Sequence, residues 1–366
     1  MQTLGGRLTY TGGRPSGFDY QRILLAVAVV TWHSVYVTGG RELQQFVGLG
    51  PARPIVAAIL PMFFALSGFL VAGSLARSAS MLQFFGLRAL RIFPALFAEV
   101  LLSAMILGPL VTTMTLSGYF GDAEFWRYLL NVTGNIHYDL PGVFKNNPVP
   151  GVVNGQLWTI PYELECYIAI GIISVLGVVR RARLFGLVVL ALMTLQWSLA
   201  LYSEPQYSVA VSGRVLVLAF LFGVSIFQLR DVVPWHPLLF WMSVAMATAF
   251  FYLPHSDAFA APFIAYISAY LGLCNPRANS LNKLGDLSYG IFLYGWPIQQ
   301  TAMWMGVTGF WSNLSLSLLL ATAFAYLSWN LVEKPALGLK KHLPQHGPER
   351  SQTRSSAAAD QLRAAP

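Results

Sequence analysis

Two side chains near the start of the chain could together carry out transfer chemistry. A guanidinium can hold a phosphate or carboxylate, and an imidazole can take a proton from a hydroxyl near neutral pH. Arg22 and His33 stand eleven residues apart in the apolar stretch FDYQRILLAVAVVTWHSVYVT. At about 100° per residue that is close to three turns, so a helix would put both on one face, roughly 16 Å apart along its axis. Asp19, three residues before Arg22, is spaced for a local ion pair with it. A histidine that only packs between helices is the plainer reading of His33, and its alignment with Arg22 favours the functional one.

Other polar residues recur at equivalent places in later apolar stretches. PMFFALSGFLVAGSLA carries Ser67 and Gly68, where small residues permit either close helix packing or the approach of a ligand to backbone. FFGLRALRIFPAL sets Arg88 and Arg91 one turn apart at the cytoplasmic mouth of the next stretch, with Pro94 early in it. They serve as topology signals or as a phosphate clamp. In QLWTIPYELECY, Trp158 belongs at the outer interface, which puts Glu163 about 8 Å further in. Arg214, early in a later stretch, falls at that level, as does His33. These three are expected to line one buried polar cavity, the alternative being a purely structural Glu163–Arg214 pair. LGDLSYGIFLYGWPIQQ brings Asp286, Ser288 and Tyr289 to the cytoplasmic face. Glu333, in LSWNLVEKP, opposes a helix dipole and calls for a cation such as Arg88 or Arg91. Glu99 and Glu165 are also intramembrane and have no evident partner.

The elements that must position these groups follow from composition. The 366 residues are 55% hydrophobic and only 10% charged; a water-soluble chain carries about a quarter charged residues. The expected class is all-α, a polytopic membrane protein. Apolar runs at 20–38, 54–74, 92–112, 157–179, 184–202, 209–228, 237–253, 258–274, 287–306 and 313–333 predict ten spans. With both termini cytoplasmic, only Arg41, Arg53, Arg127 and Lys145 of the 23 Lys and Arg residues fall outside, with Arg214 inside a span. That bias supports the topology. The net charge of +8 sits in these loops and does not indicate a nucleic-acid partner. The loop at 113–156 either covers an outward cavity or simply connects. Residues 1–342 read as one transmembrane domain and 343–366 as a disordered cytoplasmic tail. Cys166 and Cys274 fall in predicted helices and suggest neither a disulfide framework nor a metal cluster.

Taken in order, these segments resemble the acyltransferase 3 family of membrane-bound O-acyltransferases, in its polysaccharide and lipo-oligosaccharide O-acetyltransferase-like branch. The family's basic residue, ten residues and histidine are matched by Arg22 and His33. Its Phe-Phe-x-x-Ser-Gly-Phe is matched by Phe63, Phe64, Ser67, Gly68 and Phe69, and its Arg-x-x-Arg by Arg88 and Arg91. Trp158, Glu163 and Tyr167 match a Trp-centred motif, and Ser288, Tyr289, Gly290, Glu333 and Pro335 the closing ones. Three positions depart from the pattern. Gly295 stands where many relatives have a second histidine, Thr159 where serine is common, and Pro161 is unusual.

The resemblance implies an O-acyltransferase using a cytosolic acyl-CoA, with acetyl-CoA the expected donor, and no permanently bound cofactor or metal. Arg22, Arg88, Arg91, Ser67, Gly68, Ser288 and Tyr289 would bind the donor. His33 would be the base or a transient acyl carrier, with Glu163 beside it, and Trp158, Tyr167 and Arg214 would meet the acceptor. Asp19 and Glu333 would be structural ion-pair partners. The acceptor would be an extracytoplasmic glycan or glycolipid at a bacterial inner membrane, and two copies could associate. A transporter or flippase of a lipid-linked saccharide is the alternative from another class. An acyltransferase tailoring a secreted small metabolite shares the chemistry and differs only in acceptor.

Overall fold

A segment crossing lipid must satisfy its own backbone hydrogen bonds, so each long apolar run is constrained to be helical. The computed structural model describes residues 2–13, 15–202, 209–276 and 286–343. Arg14, Arg277, Lys283 and the expected tail beyond 343 lie outside them. Each of the ten apolar runs overlaps a helix of 16 residues or more: α1 Gly17–Gly48, α2 Arg53–Arg77, α3 Met81–Leu102, α4 Ile160–Val175, α5 Ala182–Tyr202, α6 Gly213–Gln228, α7 Pro237–Tyr252, α8 Asp257–Gly272, α9 Ser288–Trp304 and α10 Phe310–Ser328. Among the described residues the only β pairing is two isolated bridges, Thr3 with Pro234 and Asp139 with Val152. Five segments are long and apolar enough to cross a membrane: Gly17–Gly48, Arg53–Arg77, Met81–Val111, Ala182–Tyr202 and Phe310–His342. The other five long helices have 16 or 17 residues, shorter than the ~20 residues a typical core needs.

Local chemistry sets several boundaries. The side chain of Ser80 accepts a hydrogen bond from Gln83 N at 3.1 Å, while Gln83 Oε1 accepts from Ala79 N at 2.6 Å. This reciprocal cap starts α3 at Met81, eleven residues before the apolar run. Arg88, Arg91 and Pro94 therefore lie well inside a helix rather than at its entrance. The α1 span is interrupted at Gly40, whose φ of 66° is open to glycine at little cost.

Helix α2 is the hub, flanked by α1, α6 and α8, while α9 and α10 form a pair packed on α1. The α2–α6 contact is unusually close. A Cβ on Gly68 would lie 2.0 Å from Phe220 O, and one on Gly223 would lie 2.1 Å from Ala65 O. Small residues at facing positions are what lets two membrane helices touch backbone to backbone. Gly68 thus sits in the α2–α6 contact.

The 113–156 connection is folded inward rather than draped. Leu140, Val143, Phe144 and Val153 are buried. Gln300 of α9 donates to Val149 O and Val152 O, both at 2.8 Å. Both cysteines are free.

Candidate active site

Four helices bring cations and hydroxyls to one place. Arg22 on α1, Arg88 and Arg91 on α3, Ser67 on α2, and Ser288 and Tyr289 at the start of α9 all line one cavity. Thr159, Glu163 and Tyr167 close it from the α4 side, and Phe63, Phe64, Ile92 and Phe292 give it apolar walls. Residues scattered over more than 260 positions of sequence are therefore gathered by helix packing alone.

Asp286 ties two of the cavity's arginines together. Its Oδ2 accepts from Arg22 Nη1 at 2.7 Å and from Arg91 Nη2, and its Oδ1 accepts from Ser288 Oγ at 2.6 Å. Burial would raise the Asp286 pKa, but the Arg91 and Arg22 guanidiniums outweigh it and hold the carboxyl far below the usual range. Arg22 thus pairs with Asp286, a residue of another segment, where spacing alone had suggested Asp19. Arg91 also lies 3.9 Å from Glu333 Oε2, so the cation expected for Glu333 is Arg91.

Arg88 differs from both. Among the described residues it makes no ion pair, and its Nε has no hydrogen-bond partner. Its guanidinium stands 5.9 Å from the ring of Tyr167, whose hydroxyl donates to Glu163 Oε1 at 2.6 Å. Tyr289 donates to Ile92 O at 3.2 Å. The cavity therefore presents one partly buried cation without a carboxylate partner beside two that are pinned by one, a surface suited to an anionic ligand.

The expected cavity shared by His33, Glu163 and Arg214 does not form. Glu163 lines the arginine-rich cavity, within electrostatic reach of Arg91, Arg88 and Arg22. Arg214 instead pairs with Glu165 at 2.7 Å, on a face where the two side chains are 62% and 43% exposed. The reason is angular: Glu163 and Glu165 are two positions apart on α4, so they point to different sides of it. Trp158 packs edge-on against Tyr162, 5.9 Å between ring centroids, and does not line the cavity. Tyr167, expected on the acceptor side, sits among the arginines.

His33 lies beyond the far end. Its ring meets Trp296 edge-on at 4.8 Å, and Gln156 stands beside it. His33 Nδ1 and both polar atoms of Gln156 are buried and make no hydrogen bond of ordinary geometry. Gln156 belongs to the 3₁₀ turn Gly155–Thr159, in which Thr159 donates to Gln156 O at 3.3 Å. One end of this short turn thus touches the histidine and the other lines the arginine cavity. The turn is anchored by Asn154, which donates to Glu99 Oε1 at 2.9 Å and to Leu293 O at 3.0 Å. Ser103 donates to the same Glu99 oxygen at 2.8 Å. Sequence reading missed Gln156, Asn154 and the central place of Asp286. Asn154 and Gln156 flank a glycine ahead of the apolar run, where a polar residue looks like ordinary loop.

Comparison with known families decides the class. The model of an acyltransferase domain, acyltransferase 3, matches residues 16–332. The chain belongs to the acyltransferase 3 family. Among similar proteins, an O-acetyl transferase of Shigella phage Sf6 is 27% identical, the match covering 87% of this chain and 94% of that one. Nodulation protein 10 of Rhizobium leguminosarum bv. viciae is 28% identical, covering 93% of this chain and 98% of its own. No solved structure matches. Family membership and the apolar helices together make the chain a membrane acyltransferase.

Proposed function

We propose that the protein transfers an acetyl group from cytosolic acetyl-CoA to a hydroxyl of a glycan or glycolipid on the far side of a bacterial inner membrane. The observation carrying this reading is the three-arginine cavity whose α4 wall continues, through the Gly155–Thr159 turn, to His33. Phosphates of the donor meet Arg88, with Arg22, Arg91, Ser67, Ser288 and Tyr289 around them. The acyl end reaches past Thr159 toward the imidazole. The name of the phage relative supports acetyl as the group moved. The acceptor approaches from the outer ends of α4 and α6, where Trp158 and Arg214 stand.

His33 takes the proton of the acceptor hydroxyl as its oxygen attacks the thioester carbon. The new ester C–O bond forms, the C–S bond breaks, and the proton passes to the departing thiolate. If instead His33 carries the acyl group in transit, labelled donor mixed with protein in the absence of acceptor leaves label on the protein. Glu163, bonded to Tyr167, helps hold the donor end of the cavity in shape.

All ten long helices cross the membrane in this reading, with both termini cytoplasmic. The distribution of Lys and Arg supports that, and bundling lets 16-residue helices span where the bilayer adapts. Residues 1–342 form the transferase domain and 343–366 a cytoplasmic tail. Purified protein in proteoliposomes, given labelled acetyl-CoA and a glycolipid extract, should yield labelled glycolipid. Absence of transfer together with movement of unmodified lipid would support export instead.

A further inference from the structure

The turn beside His33 holds a second buried polar group, the Gln156 carboxamide, which faces the imidazole. Gln156 is 1% exposed, and its Oε1 and Nε2 make no hydrogen bond of ordinary geometry. A buried carboxamide whose hydrogen-bonding capacity is incompletely met loses bonds to water that it does not fully regain, and such groups call for an explanation. The backbone around it is held on every side. Asn154 ties it to Glu99 and Leu293, Trp296 packs on Gly155 so closely that a Cβ there would lie 2.6 Å from the indole, and Trp296 Nε1 donates to Val152 O at 3.3 Å. Gly295 lets α9 pass close on the other flank: a Cβ there would lie 2.8 Å from Val30 Cγ2 and 4.0 Å from Gln156 Oε1. The turn is therefore held in place, with a buried carboxamide beside the imidazole whose N–H groups can donate to an arriving acceptor.

We infer that Gln156 is a catalytic residue of the transfer, its Nε2 donating a hydrogen bond to the acyl carbonyl oxygen while His33 handles the acceptor proton. This rests on the proposed donor site. A donor whose phosphates sit at Arg88 and whose acyl end passes Thr159 brings its carbonyl to the Thr159–Gln156 turn. As the acceptor oxygen adds to the carbonyl carbon, negative charge collects on the carbonyl oxygen. A prefixed N–H donor in a water-poor site stabilises that charge more than it stabilises the neutral thioester. When the intermediate collapses, the C–S bond breaks, the carbonyl re-forms, and the hydrogen bond weakens again. Nothing is consumed, and the proton moves from acceptor hydroxyl through His33 to sulfur.

The test compares Gln156→Leu and Gln156→Met, similar in size and without the donor, with the native protein in detergent or proteoliposomes. The expected result is a fall in kcat of about 100-fold or more, with Kd for acetyl-CoA and melting temperature close to native. A merely structural glutamine would lower the melting temperature and leave kcat of the folded fraction unchanged. Gln156→Glu, which sets a carboxylate against the developing charge, should be slower than Gln156→Leu. Native transfer together with kcat within threefold of native in the Leu and Met variants would overturn the role of Gln156 alone. A native protein that transfers nothing from acetyl-CoA would overturn the donor assignment and this inference with it.

Discussion

Arg22 and Asp286 are 264 residues apart in the chain and 2.7 Å apart in the structure. That contact, shared with Arg91 on α3, ties separate segments together beside the cavity. Asp286→Asn should be strongly destabilising, because it leaves two partly buried guanidiniums facing a neutral amide. Loss of one partner of a buried pair costs roughly 3–5 kcal/mol, and exposures of 20–28% place this case at the lower end. Thermal melting of the purified variant checks it.

The same carboxylate sets a pH window. Its folded pKa is depressed, so its contribution is complete above the unfolded aspartate value of about 3.9 and is lost as pH falls through the lower folded value. The gap in melting temperature between native protein and Asp286→Asn should be constant from pH 8 down to 5. It should narrow only below about pH 4. A gap that closes between pH 7 and 5 would place the titrating group elsewhere.

Of the three arginines lining the cavity, Arg88 is the one that makes no ion pair with a described residue, and its replacement should separate binding from folding. Arg88→Ala should raise the Kd for CoA at least tenfold, the equivalent of about 1.4 kcal/mol, with little change in melting temperature. Retained affinity for CoA would remove Arg88 from the donor site. Arg88→Lys should recover only part of the loss, since an ammonium cannot make the bidentate contact.

His33→Ala should insert, melt and bind CoA as the native protein does, yet transfer no acyl group. Equilibrium binding alongside a label-transfer assay tests both halves. Residual transfer above about 1% of native would assign the proton to another group.

Gly68→Val asks whether this position serves packing or ligand. Its first added carbon would sit 2.0 Å from Phe220 O, so α2 and α6 must separate, at a cost of about 1–3 kcal/mol or more. The expected outcome is a lower melting temperature. An unchanged melting temperature with weakened CoA binding would assign Gly68 to the donor site.

By itself the sequence determined the helices, because apolar runs of this length admit no other backbone state in lipid. It also determined that Arg22, Ser67, Arg88, Arg91, Ser288 and Tyr289 belong together, since their order matches one family from end to end. It placed Glu333 opposite an arginine from the dipole argument alone. Depth along a single helix, however, carries no information about which face meets which neighbour. For that reason Glu163 and Arg214, level on paper, face different partners in space. Tertiary structure alone gave Arg22 to Asp286 and turned Gly68 toward Phe220. It also set Gln156 against His33, because those contacts join separate helices and loops whose rotation and approach only the packed bundle fixes.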